Sequence, residues 1–538
     1  MKSYSAIAAT IAAITESPMF GVMGDGNMFL IDAFVHDCHG RYVAAATEAG
    51  AVLMATGFAR GSGNVGLATV THGPGLTNAF TPLMAAARQR LPLVLVAGDT
   101  ARAQWWNAQN IDHRTVVGAT GAGFEEPATP DDGPAVLLRA FRRASIERRP
   151  IVVNHPVDFE FIEINSTDTP ITGSYPVPVP LQPTESDMNA AVGAMATAKR
   201  PIVLAGAGVA HLDAVAAVTA LADSLGAPLA TTLPAKGIFR GSPADIGVFG
   251  TLSSELALET IQAADCIVAL GASLNPYTGG GAAWPLLSGK AVVHCDIDPL
   301  AFGTGFRTDL GVHADAEAFA RTAVEWLSMA EIEPTGFRSS ITQAVEPAFH
   351  PTAPGTVDLN RAIIQLNELL PDDRAVVMDG GRFAFEVIKR FDARGLGRWA
   401  CSIEGLGVVG SGLPTALGLA LAQDDVPTIA IVGDGGFMLG GLAEFHTAVR
   451  EGLDIIVVVL NDGSYGAEHG KLKARAFRTA TSLFDWPDFA PVAESLGAIG
   501  LTIKDEADFQ ALPDLIGRRD RAVLIDVKID PDAAPHRY

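Results

Sequence analysis

The chain has 538 residues, and at roughly 100–200 residues per domain it should fold as about three domains. Apolar residues make up 48% and charged residues only 18%, which excludes general disorder. With 38 basic against 60 acidic side chains, the net charge of −22 repels phosphate backbones and anionic lipid, so no nucleic-acid and no membrane partner is expected.

Taken in chain order, Lys2 and the apolar residues 6–14 resemble a short signal peptide. Thr10 interrupts the run, Glu16 follows it, and a strand-turn pattern comes next over 20–27, so it reads as the first helix of the mature domain. Residues 65–70, 91–96 and 151–154 read as buried parallel strands separated by Ala-rich helical stretches. Prolines crowd residues 167–183, which predicts an extended linker. A second α/β series starts at Arg200-Pro201-Ile202-Val203 and includes 266–271 and 291–298. A second loose stretch spans 333–356, with Pro334, Pro347, Pro351 and Pro354, and a third series runs from 374 to 527. The expected fold is α/β, three tandem doubly wound parallel-sheet domains over 1–167, 186–330 and 357–538. Cys38, Cys266, Cys295 and Cys401 show no CxxC spacing, and no apolar run reaches the ~18–20 residues of a bilayer span, so a soluble cytoplasmic protein with free thiols is expected.

The segment richest in chemistry is Ile429-Ala430-Ile431-Val432-Gly433-Asp434-Gly435-Gly436. A buried strand ends in a glycine turn that opens a helix; glycines admit an anion close to the backbone, and the helix N-terminus offers free N–H groups to phosphate. Asp434 stands where its carboxylate can be a hard ligand for Mg²⁺ beside that phosphate. The next strand ends at Asn461-Asp462-Gly463; parallel neighbours bring both strand ends to one sheet edge, so Asn461 and the Gly463 carbonyl can add two more oxygens. A lone Gly-Asp-Gly is usually only a turn. The paired pattern is what raises its meaning.

Gly433-Asp434-Gly435 followed 27 positions after the Asp by Asn461 resembles the thiamine-diphosphate fingerprint of the 2-oxoacid decarboxylase and acetolactate synthase family. Asp462 stands where a second Asn is usual. The likeness extends to the stretch from Gly405-Leu406-Gly407 to Leu413-Pro414, and to residues 200–206 and 294–299 of the middle region. It implies pyrimidine-binding, central and diphosphate-binding domains, with thiamine diphosphate and Mg²⁺ as cofactors. Asp434, Asn461 and the Gly463 carbonyl would hold the metal; Gly433, Gly435, Gly436, Gly407, Tyr465 and the run Gly381-Arg382-Phe383 would line the cofactor. Val409 would prop the cofactor in its bent shape, and Glu48, before His72-Gly73-Pro74-Gly75, would hydrogen-bond its aminopyrimidine. Read without that likeness, Glu48 is a helix-start glutamate and Val409 a core valine.

The expected reaction is decarboxylation of a 2-oxoacid, with the resulting carbanion equivalent protonated or passed to an acceptor aldehyde or oxoacid. Asp25, His113 and Glu468 match decarboxylase positions for proton handling, while His72 stands where many members carry serine; a turn aspartate, a surface histidine and a solvated helix charge are the plainer readings. Gln109-Asn110-Ile111-Asp112 resembles the acetolactate synthase loop, which keeps acetohydroxyacid-type condensation as the alternative; a catalytically silent regulatory homologue is another. Gly271-Ala272-Ser273-Leu274-Asn275 departs from the synthase run beside its flavin, which weighs against FAD. The resemblance further implies a homodimer or homotetramer with active sites shared between subunits.

Overall fold

The computed structural model describes residues 1–164, 179–280, 285–341 and 348–533. Most of the proline-rich linker, including Pro170, Pro176 and Pro178, and Pro347 of the second loose stretch lie outside these residues.

Eighteen strands form three six-stranded sheets among the described residues, and neighbouring strands pair in parallel. The first sheet contains β1 (Met19–Gly21), β2 (Tyr42–Ala44), β3 (Gly66–Val70), β4 (Leu93–Asp99), β5 (Gly123–Glu125) and β6 (Pro150–Pro156), in the order β2-β1-β3-β4-β6-β5. The second contains β7 (Pro201–Ala205), β8 (Leu229–Thr231), β9 (Asp245–Val248), β10 (Cys266–Leu270), β11 (Ala291–Asp296) and β12 (Leu310–His313), in the order β12-β11-β10-β7-β8-β9. The third contains β13 (Ala375–Met378), β14 (Trp399–Cys401), β15 (Thr428–Gly433), β16 (Ile455–Asn461), β17 (Ile499–Ile503) and β18 (Val523–Lys528), in the order β14-β13-β15-β16-β18-β17. The outer sheets thus share one topology, while the middle sheet has the order of dinucleotide-binding folds. Continuous apolar runs form the central strands because both faces are covered by helices; β16 is buried from end to end.

The middle sheet reverses direction between β7 and β10, where Gly206-Ala207-Gly208 follows β7. The N–H groups of Gly206 and Gly208 donate to the carbonyls of Leu270 and Gly271, so these donors are not directed at a phosphate. The stretch after 333, expected to be loose, begins tied down: Phe337 is buried and Arg338 donates to Ala227 O at 2.9 Å. Side-chain anchoring of this kind leaves no periodicity to read.

The first and third domains share a core. The helix Glu48–Ser62 lies against Gly412–Ala422 so closely that a Cβ at Gly57 would overlap Thr415 O, and one at Gly418 would overlap Met54 O. Val52, Ala55, Leu413, Ala416, Phe437 and Phe445 belong to one apolar cluster spanning both. At its rim Arg60 pairs with Glu404 at 2.6 Å, both nearly buried. The middle domain docks on the third through Arg240–Asp392 and Lys389–Glu255 and through Gly237, whose φ of 91° lets its turn approach Ala393 O.

Candidate active site

The third sheet reverses direction between β13 and β15, the place where α/β sheets hold ligands beyond their carboxyl ends. Asp379 follows β13, Asp434 follows β15, and Asn461 closes β16 one strand further along. Asp434 opens a helical run (Asp434–Gly436, a wider turn Phe437–Gly441, then Leu442–Arg450), with its Oδ2 accepting from Ser464 N at 3.1 Å. Asn461 donates from Nδ2 to the buried Asp526 at 3.0 Å, and its Oδ1 accepts from Gly463 N at 3.2 Å. That second contact turns the amide oxygen toward the loop after β16. Gly463 takes φ 61°, the left-handed conformation that suits glycine.

Side chains are crowded close to the glycines of this turn. A Cβ on Gly433 would stand 3.1 Å from the Phe383 ring, one on Gly435 3.0 Å from Tyr465, and one on Gly436 2.6 Å from Asp379 Oδ2. Burial first, and the neighbouring Asp462 second, push the Asp434 carboxyl up to about 7. A divalent cation relieves both effects by stabilising the ionised form. Among the described residues no group of three or more His, Cys, Asp or Glu could hold a metal alone. The oxygens here are one carboxylate, one amide and one carbonyl, which suits Mg²⁺ completing its shell from diphosphate and water. The residues therefore fit a Mg²⁺–diphosphate group.

Other expected residues are placed less simply. Arg382 is turned from the glycine loop: Nε pairs with Asp462 at 2.8 Å, and the two Nη atoms donate to Pro531 O and Asp530 O at 2.6 and 2.8 Å. In this arrangement the Arg382 guanidinium is committed to Asp462 and the carbonyls of residues 530 and 531. Phe383 is buried beneath Gly433, and a Cβ on Gly381 would strike its ring, so this run acts as a floor. Val409 is 46% exposed, standing over Gly380 and Gly436, which is not how a core valine sits. Gly407 has φ 73° and open space where a Cβ would point. Tyr465 is exposed at the start of the helix Gly466–Ala474, and Glu468 in its first turn is 63% exposed, 3.9 Å from Lys471.

The carboxyl edge of the first sheet gathers the remaining candidates. Asn27, buried, accepts from Gly24 N at 2.8 Å and donates to Val22 O and Thr69, shaping the turn that exposes Asp25. Gly26 packs on His72, which is itself buried. His113 is not a surface histidine but a buried one. Its Nδ1 meets Asn154 Oδ1 at 2.7 Å, and its Nε2 accepts from Gly73 N at 3.4 Å with the Asp99 carboxylate 3.6 Å away. Glu48 accepts from Asn78 Nδ2 at 3.1 Å. Asp434 and Glu444 lie ten residues apart on one helical run, and Glu444 contacts the residues just before Glu48, so Glu48 of the same chain meets that run well past Asp434.

Sequence reasoning passed over Asn27, Asn78, Asp379 and Glu444. Asp379 is fully buried; burial raises its carboxyl to about 6 against N–H bonds from Gly380 and Gly410, each at 2.8 Å, and it ties the Val409 loop to β13. Only its place at a strand end, before Gly380-Gly381, could have flagged it.

Two such sheets around a dinucleotide-type middle domain, with a glycine turn at a switch point, are the architecture of α/β enzymes that bind a phosphate-bearing cofactor. The chain belongs to the thiamine pyrophosphate enzymes: the N-terminal TPP binding domain matches residues 1–115, the central domain 188–322 and the C-terminal TPP binding domain 379–527. Acetolactate synthase of Mycobacterium leprae (strain TN) is 27% identical over 543 residues, covering 96% of this chain and 85% of its own. Sulfoacetaldehyde acetyltransferase of Alcaligenes xylosoxydans xylosoxydans is 27% identical over 561 residues, covering 94% and 88%. The thiamine diphosphate-dependent 4-hydroxybenzoylformate decarboxylase of Rhodococcus jostii RHA1 shares the fold, with a TM-score of 0.83 at 21% identity over 99% of this chain and 100% of that one. No helix among the described residues is long and apolar enough to cross a membrane.

Proposed function

We propose that this protein uses thiamine diphosphate and Mg²⁺ to decarboxylate a 2-oxoacid and either protonates the product or transfers it to an acceptor carbonyl. The observation that carries this reading is the juxtaposition of Asp434, Asn461 and Gly463 at one sheet edge, under an exposed Val409. When bound, the cofactor supplies an electron sink for the carbon that loses CO₂. The chain's own residues do the rest. Asp434, the Asn461 amide oxygen and the Gly463 carbonyl hold the cation, and the glycine turn admits the diphosphate. Val409, exposed over Gly380 and Gly436, would support the bound cofactor and keep water from it. Glu48, to which Asn78 Nδ2 donates at 3.1 Å, would present its carboxyl to the pyrimidine ring.

Because Glu48 stands away from Asp434 of its own chain, the site is completed by a second copy, and the functional unit is a dimer or a pair of dimers. Asp25, exposed at its turn, and Glu468, exposed on its helix, are the groups free to move protons above the ring. Acetohydroxyacid-type condensation is the alternative, favoured by relatives named acetolactate synthase that match almost the full length. FAD is not part of this reading. The test is a panel of 2-oxoacids, with and without acceptor aldehydes or a second oxoacid, read by CO₂ release and product mass. CO₂ release dependent on thiamine diphosphate and Mg²⁺ is expected. No release from any oxoacid by cofactor-loaded protein would reject the reading.

A further inference from the structure

Glu444 has a fully buried carboxylate that comes from the third domain and grips the first. Its oxygens accept from Ala46 N at 3.1 Å, Thr47 N at 3.1 Å, Thr47 Oγ1 at 3.2 Å and its own helix's Thr447 Oγ1 at 3.0 Å. Thr47 in turn caps the helix Glu48–Ser62, its Oγ1 accepting from Gly50 N at 2.9 Å. An anion at a helix N-terminus is favoured by the helix dipole, and these contacts fix the backbone of the two residues before Glu48. Gly50 makes the approach possible: a Cβ there would overlap Glu444 Oε1. A carboxylate with four protein donors is a rigid support. Its neighbour Glu48 keeps Asn78 and remains only half-buried.

We infer that Glu444 is a positioning residue for Glu48, acting across the domain boundary through Thr47, and that Gly50 is the space it requires. The inference rests on the proposed role of Glu48. It makes cofactor activation depend on how the first and third domains of one chain are docked. Misplacing a reacting group by about 1 Å can cost about a hundredfold in rate.

The test uses full-length protein loaded with thiamine diphosphate and Mg²⁺, and follows exchange of the bound cofactor's C2 proton for deuterium, which needs no knowledge of the substrate. Glu444→Gln is expected to slow exchange by about 10- to 100-fold, with the cofactor dissociation constant within about twofold of wild type. Gly50→Ala should do the same from the other side of the contact. The deciding measurement is the double variant: once Glu48→Gln has removed the group being positioned, adding Glu444→Gln should cost nothing further. Equal, additive losses in both backgrounds would overturn the inference and leave the Glu48 reading standing. Wild-type exchange in Glu48→Gln alone would sink that reading itself. If Glu444→Gln unfolds, Gly50→Ala in both Glu48 backgrounds decides the matter in the same way.

Discussion

Asp526 shows how much of this site lies behind the residues that would touch a metal. It is fully buried, accepts from Asn461 Nδ2 at 3.0 Å and from Phe489 N at 2.8 Å, and pairs with Lys528 at 2.6 Å. It therefore fixes which way the Asn461 amide faces. Outer partners of metal ligands typically cost about 10–100-fold in affinity when changed. Asp526→Asn should weaken Mg²⁺-dependent binding of thiamine diphosphate by about that factor, and Asp434→Ala should weaken it further, both measured by calorimetry. Binding unchanged in Asp434→Ala would remove the metal assignment. Asp462 is a second lesson at this scale. An acid in place of an amide looks like a minor change in the sequence, yet here it forms a buried pair with Arg382 at 2.8 Å.

At the scale of elements, the docking of two glycine-bearing helices joins the outer domains. Substituting Gly418 with Ala puts a methyl group into Met54 O, a backbone atom that cannot rotate away. Gly418→Ala should destabilise the protein by about 1–3 kcal/mol, read as a lowered midpoint in denaturant; Gly193→Ala, on a helix with open space at that point, is the control and should not lower it. The end of β6 carries a group that should make stability depend on pH. Burial pushes His155 down to about 4, with Asp158 opposing. The neutral imidazole is the form that suits the fold, so the unfolded chain binds more protons between the usual value of 6.5 and about 4. This group's contribution is present above pH 6.5 and is lost as pH falls through that window. His155→Gln should flatten the acid-side fall of the thermal midpoint; an unchanged slope would contradict the assignment.

For the whole molecule, the separation of Glu48 from Asp434 in one chain predicts complementation. A Glu48→Gln chain and an Asp434→Ala chain are each expected to be inactive alone. A mixed dimer places the intact Glu48 of one opposite the intact Asp434 of the other. Random pairing makes half of the dimers mixed with one good site in two, so equal mixtures should recover about a quarter of wild-type turnover. No recovery after unfolding and refolding together would place both groups of a site in one chain.

Much of this was legible in the sequence, and the legible part shares one cause. Buried parallel strands need unbroken apolar runs, and a turn that meets an anion needs glycine, so β15 with Gly433-Asp434-Gly435 and β16 with Asn461 could be placed without coordinates. Short strands such as β2 and β5 are only three residues each and carry no such run, so the sequence gives no sign of them. Residues whose work is done by contact across the chain left no local trace. Glu444 is 396 positions from Glu48, and nothing near it indicates that its carboxylate caps another domain's helix. His113 looked like a loop histidine until Asn154 and Gly73 closed on it. What the sequence determined by itself was chemistry set within one strand and its turn, because periodicity and backbone freedom are local. What the tertiary structure decided was which side chains remain free, because engagement by distant partners is fixed only when the sheets and helices have packed.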